Sequence, residues 1–362
     1  MSVPARIESV QVCEGCGGEK PAAFSSTRCS DCGGLFELRH APPAARGEVL
    51  RALFSSRSAA RTGIDASGVW RYRELVLPGV DDPVTRPEGN TPLLANASVA
   101  GFAGVHGLLL KHEGDNPTGS FKDRGMTVAV TWARRIGARA AACASTGNTS
   151  ASLASYAALA GIPALVFVPA GRVAAGKLAQ TLAYGARTLL VRGDFDACLN
   201  LAREAAEKLG VYLVNSVNPF RLEGQKTIVL EMLEQLGWDA PDWIALPAGN
   251  LGNTSAFGAA LAAALELGLI ARVPRLAAVQ AAGANPFARA FREGFAAPHR
   301  VTAETRATAI RIGDPASYGR GVRAIRSTRG IVTDVTDDEI LEAKAVVDAS
   351  GIGCEPASAA SV

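Results

Sequence analysis

Four cysteines open the chain in two pairs, Cys13-x2-Cys16 and Cys29-x2-Cys32, each pair followed by two glycines. A CxxC turn offers two thiolates on one side. Two such turns supply the four sulfurs of a tetrahedral zinc and leave no position open for water. The spacing therefore predicts a closed structural metal site; a disulfide pair is the other reading, and it conflicts with a reducing compartment. Ribbons of this kind also occur in nucleic-acid-binding proteins, so the motif assigns no function. Cys143, Cys198 and Cys354 are scattered and read as small buried hydrophobes.

A second chemistry lies in the loop KHEGDNPTGSFKDRG, where Lys122 stands near the start of a predicted helix. A lysine there opposes the helix dipole, which depresses its pKa and favours the neutral amine that attacks a carbonyl as a Schiff base. A solvent lysine between Phe121 and Asp123 is the plainer reading of this residue alone. Two further loops change that balance. Ser145-Thr-Gly-Asn-Thr-Ser150 and Ala248-Gly-Asn-Leu-Gly-Asn-Thr254 each follow an apolar run and open a helix. Each turns hydroxyls or backbone amides toward an anion such as a carboxylate or phosphate. An N-cap and a turn would account for either loop alone.

These loops need elements to hold them. Apolar runs at 107–110, 138–143, 164–168, 188–191, 212–214, 243–246 and 276–280 read as strands. They alternate with Ala-rich helical patterns at 127–136, 151–160, 176–184, 197–209, 227–235, 255–267 and 337–349. Such alternation predicts an α/β protein with parallel sheets covered on both faces, which bind ligands at the carboxyl ends of their strands.

The 362 residues suit about two domains. Charged residues at 20% and a net charge of +3 exclude a disordered chain and give no basic field for nucleic acid or an anionic membrane. Residues 140–171 carry no charge, but the STGNTS cluster and the Gly161-Ile-Pro163 break predict a buried helix and strand there, not a membrane span. The opening MSVPARIESVQV lacks the features of a secretory signal, so a cytoplasmic location is expected.

Taken together, NPTGSFKDRG around Lys122, STGN at Ser145, GNLGN at Gly249, GNTPL at Gly89, NSVNPFR at Asn215, AIRIGDP at Ala309 and EPAS at Glu355 resemble the threonine synthases. These are pyridoxal-phosphate enzymes of the tryptophan-synthase-β type, and the likeness runs from about Trp70 to the end. It implies two three-layer α/β domains with mainly parallel sheets and a small N-terminal zinc ribbon. The implied division is a ribbon at 1–45, a connector with first elements at 46–95, a smaller domain at 96–222 and a larger one at 223–362.

The resemblance also implies roles. Lys122 would hold the pyridoxal 5'-phosphate aldehyde and shuttle protons, and Asn148 would bond the ring oxygen. Gly249, Asn250, Leu251, Gly252 and Asn253 would bind the cofactor phosphate. Ser145, Thr146 and Thr149 would take the substrate carboxylate, while Asn215, Ser216 and Arg221 would take the substrate phosphate. The implied reaction turns O-phospho-L-homoserine and water into L-threonine and phosphate, and a homodimer is one expectation for the assembly. Related cofactor enzymes that deaminate threonine or serine, or replace a phosphoserine leaving group, are the alternative.

Two further features of the sequence bear on function. Gly171-x4-Gly176-Lys177 nearly matches a nucleotide-binding P-loop, but Leu178 stands where a magnesium-binding Ser or Thr is needed. In the family, a helix, a strand and a TGxGLKDP-like segment with a hydroxyl for the pyridine nitrogen follow EPAS. Its absence before Val362 implies an incomplete larger domain, and with it a chain that keeps the fold but catalyses poorly.

Overall fold

A computed structural model of the chain describes residues 9–24, 26–170, 175–193 and 195–362. By internal contacts it forms two units. The first joins Met1–Ala45, Ala52–Asn90 and Asp115–Thr227; the second joins Arg46–Arg51, Thr91–Gly114 and Ile228–Val362. Residues 96–114 thus fall in the second unit, although the linear division of the sequence gives them to the smaller domain. The reason is local: the Lys111 ammonium donates to Glu231 Oε1 at 2.6 Å and to Thr91 O at 2.7 Å, and Glu231 is fully buried.

The first unit begins with a three-stranded antiparallel ribbon, β1 (Ser9–Cys13), β2 (Glu19–Pro21) and β3 (Phe36–His40), in the order β2-β1-β3. Phe36 is buried with Cys13 and Cys29 in its small core, and Phe24 meets its ring edge-on.

In the second unit, β4 (Leu93–Ala95) and β5 (Leu109–Lys111) pair antiparallel. The first unit's main sheet is wholly parallel. It contains β6 (Ala140–Ala144), β7 (Ala164–Pro169), β8 (Arg187–Val191) and β9 (Val211–Leu213), in the order β8-β7-β6-β9. Every residue of β6 is buried and small, as a strand covered on both faces requires. Cys198 and Ala202 of the helix Phe195–Leu209 pack with Ala140, Ala142 and Phe167.

The second unit holds β10 (Trp243–Pro247), β11 (Arg275–Ala281) and β12 (Ile331–Val335), parallel and in that order. Its core joins Val279 and Ala281 to Ile310, Ile340, Ala343 and Ala357.

All seven expected strands and all seven expected helices are present. The helices Lys122–Arg135 and Pro219–Gln235 begin five and eight residues earlier than the apolar pattern indicates at 127 and 227. Their first turns carry polar residues that serve the site. Gly176 and Lys177 do open a helix, Ala175–Ala183, while Gly171 lies outside the described residues. No helix of the described residues is long and apolar enough to cross a membrane.

Candidate active site

In the first unit, Lys122 is the first residue of the helix Lys122–Arg135, and its Nζ lies 3.9 Å from the centroid of the Phe121 ring. The turn before it is clamped. Asp123, fully buried, accepts Thr118 N–H and Thr118 Oγ1–H at 2.7 Å each and Ser152 Oγ–H at 2.6 Å. Burial pushes its carboxyl above the usual range, and these donors pull it back. From the other side, Lys177 Nζ donates to Thr118 O at 3.0 Å, so this lysine serves the Lys122 loop.

The STGNTS loop leaves β6 directly, with Asn148 opening the helix Asn148–Ala160. Ser145, Thr146 and Thr149 are half-buried. The loop is pinned at its root by Asn215, whose amide accepts Ala144 N–H and donates to Ala144 O, both at 3.1 Å. The Asn215 side-chain amide, to which the resemblance gives a substrate phosphate, thus pairs with the backbone at the root of the STGNTS loop. Ser216 beside it is half-buried. Asn218, unremarked in the sequence, caps the next helix: its Oδ1 accepts Phe220 N–H at 3.0 Å and Arg221 N–H at 3.3 Å.

Arg221 is 1% exposed. Its Nη1 donates to Val214 O at 3.1 Å, while Nε and Nη2 find no partner among the described residues. Burial lowers its pKa to about 10, so it stays charged at neutral pH. A buried guanidinium with two idle nitrogens is costly unless an anion completes it.

The second unit carries the other anion turn. Gly249, Asn250 and Leu251 lead into the helix Gly252–Glu266, with Leu251 in the left-handed region at φ 63°. A Cβ on Gly249 would lie 3.0 Å from Ile310 Cα, so only glycine passes here without displacing that segment. Asn250 Oδ1 accepts Ala316 N–H at 2.6 Å. Gln280, an amide inside an apolar strand, donates to Ala248 O at 3.1 Å and accepts the N–H groups of Phe287 and Ala288 at 2.8 and 3.0 Å. It braces the root of the turn, and its only sequence signal is a polar residue in a buried strand. Asn253 Oδ1 and Thr254 Oγ1 are buried without a partner among the described residues. Amides at a helix start beside the idle Thr254 hydroxyl fit a phosphate monoester.

The four ribbon cysteines stand together, with all their Sγ atoms within 4.8 Å of one another. Cys13 and Cys32 Sγ are 3.3 Å apart, and Cys16 and Cys29 Sγ 3.8 Å. A zinc with Zn–S bonds of about 2.3 Å spaces its sulfurs at about 3.8 Å, so the cluster fits that ion.

A clamped lysine opens a helix of the first unit, and a glycine turn opens a helix of the second. The chain belongs to the pyridoxal-phosphate dependent enzyme family, which matches residues 84–362. It is 44% identical over 352 residues to a threonine synthase of Methanosarcina acetivorans, covering 97% of this chain and 84% of that protein. A threonine synthase of Synechocystis is 49% identical over 306 residues, 82% of this chain and 78% of its own length. Among solved structures, threonine synthase from Escherichia coli superposes with a TM-score of 0.69 at 20% identity, covering 94% of this chain and 79% of that one. Maize serine racemase gives 0.67 at 23% identity, covering 83% and 85%, so this fold serves more than one activity.

Proposed function

We propose that the chain is a threonine synthase, a carbon–oxygen lyase that converts O-phospho-L-homoserine and water to L-threonine and phosphate. The observation that carries this reading beyond the family is Arg221: a buried, charged guanidinium with two unpartnered nitrogens suits a dianionic phosphate, and a deaminase acting on free threonine needs no such group.

Pyridoxal phosphate, when bound, supplies an electron sink for carbanions next to the amino group. The side chains do the rest. Lys122 holds the cofactor aldehyde at rest and then moves protons at Cα and Cβ of the substrate. Asn148 would bond the cofactor's ring oxygen, and Gly249, Asn250, Leu251, Gly252 and Asn253 would take its phosphate. Ser145, Thr146 and Thr149 orient the carboxylate at the start of their helix. Arg221 and Ser216 hold the phosphate that leaves Cγ, while Asn215 fixes the loop beside them.

Cys13, Cys16, Cys29 and Cys32 hold one zinc as a closed structural site, and the protein works in the cytoplasm as a homodimer. The deciding assay incubates the holoenzyme with O-phospho-L-homoserine and measures phosphate and threonine together. Equal amounts of both support the reading. Keto acid from threonine, with no reaction of the phosphorylated compound, overturns it.

A further inference from the structure

The zinc ribbon has one end at its cysteines and another 183 residues away in sequence from the helix it grips. In the antiparallel pair β1–β3, Cys13 faces Phe36 at one end and Ser9 faces His40 at the other. His40 uses both ring nitrogens: Nδ1 is hydrogen-bonded to Ser9 Oγ at 2.7 Å, and Nε2 donates to Glu223 Oε2 at 3.0 Å. The His40 and Glu223 side chains are 9% and 7% exposed, and the Glu223 carboxylate also pairs with Lys226. Lys226 and His40 hold that carboxyl below its usual range against the opposing effect of burial, so at neutral pH it accepts and the imidazole must donate.

Glu223 sits between two residues of consequence on the helix Pro219–Gln235. Arg221 is two positions before it. Gly224 follows it, and a Cβ there would lie 1.8 Å from Arg124 O; a Cβ on Gly125 would lie 2.8 Å from Arg221 O. At Gly125 and Gly224 the helices carrying Lys122 and Arg221 therefore meet backbone to backbone, and Trp132 of the first stacks on Phe220 of the second with ring centroids 4.5 Å apart. Whatever moves Glu223 moves the Arg221 turn.

We infer that the ribbon is a positioning device for the phosphate site, and that His40 is the positioning residue through which it sets the first turn of the Pro219–Gln235 helix and so the aim of the Arg221 guanidinium. This rests on the reading of Arg221 as the substrate-phosphate group. A ribbon that served stability alone would lower the melting temperature and leave phosphate recognition untouched.

The test uses the zinc-loaded holoenzyme, four single variants, His40→Ala, His40→Gln, Glu223→Gln and Arg221→Met, and the double variant that joins His40→Ala to Glu223→Gln. It measures KM and kcat for O-phospho-L-homoserine, the inhibition constant of inorganic phosphate, the cofactor absorbance titration and the melting temperature. His40→Ala and Glu223→Gln are expected to raise KM and the phosphate inhibition constant by about tenfold. Cofactor affinity should stay within about twofold, and His40→Gln, which keeps a donor, should recover most of the loss. The double variant His40→Ala with Glu223→Gln should be no worse than either single change. Unchanged KM and phosphate inhibition in His40→Ala, or a loss of cofactor affinity in step with them, overturns the inference. Arg221→Met separates the two claims: if it leaves KM and phosphate inhibition unchanged, the reading of Arg221 fails; if it raises them while His40→Ala does not, only the role of His40 fails.

Discussion

Two loops of this protein are proposed to take a phosphate, and they are built in opposite ways. The turn at Gly249–Asn253 contains no charged side chain; its donors are amides at the start of a long helix, and its root is braced by the neutral amide of Gln280. The segment Asn215–Arg221 brings a full positive charge, buried and only partly hydrogen-bonded. A group that stays bound through many cycles needs many fixed dipoles and no excess charge. A group that must be bound, stabilised as it leaves and then released is better met by one charge whose desolvation is relieved only while the anion is present. The proposed resident and leaving phosphates match this division.

The comparison can be broken in several places. The largest effect is expected at Lys122, on which turnover depends whichever phosphate is considered. Lys122→Ala should lower kcat by about 10^3-fold or more, and the borohydride-reducible cofactor adduct should vanish from the peptide holding residue 122. An adduct of equal yield in the variant would remove the assignment.

Next comes Arg221→Met. It should cut kcat/KM for the phosphorylated substrate by about 10^2-fold and leave the binding of free threonine alone. Because an unpaired buried charge gives way to an apolar side chain, the variant should also be more stable, by about 1–4 kcal/mol in denaturant unfolding. A variant that is both inactive and less stable would show that the guanidinium is already satisfied in the free enzyme.

Gly249→Ala sharpens the other side. Its Cβ meets Ile310, so cofactor affinity should fall by about tenfold while the inhibition constant of inorganic phosphate stays fixed. Loss of both together would erase the distinction between the loops.

The smallest effect is on pH. With its pKa lowered to about 10 by burial, Arg221 is charged below that value and neutral above it, so phosphate affinity should be flat from about pH 8 to 9 and weaken as pH rises through about 10. Inorganic phosphate inhibition measured across that range checks it.

Much of this site was legible in the sequence because its chemistry is local. Lys122, the STGNTS loop and the GNLGN turn are contiguous, and each sits where a strand or turn gives way to a helix. What stayed hidden is held by long-range contacts or by polar first turns. The Lys122–Arg135 and Pro219–Gln235 helices begin within NPTGSFKD and NPF, which read as loop because their early residues face caps and clamps instead of an apolar core. Strand β12 was missed since only Ile331, Val332 and Val335 of its five residues are apolar. Asn218, Gln280 and His40 matter through partners that lie outside their local sequence pattern or far along the chain, and nothing in their own neighbourhoods marks them.

The glycine crossing has a consequence for substrate choice. With Gly125 and Gly224 bringing the two helices into backbone contact, the spacing between the backbones that carry Lys122 and Arg221 is set by that contact. Neither helix can slide to suit a substrate one carbon shorter or longer without opening that contact. Evolution of chain-length preference on this scaffold must then work through the loops at Ser145–Thr149 and Asn215–Asn218, and selection for a new substrate should leave both glycines untouched.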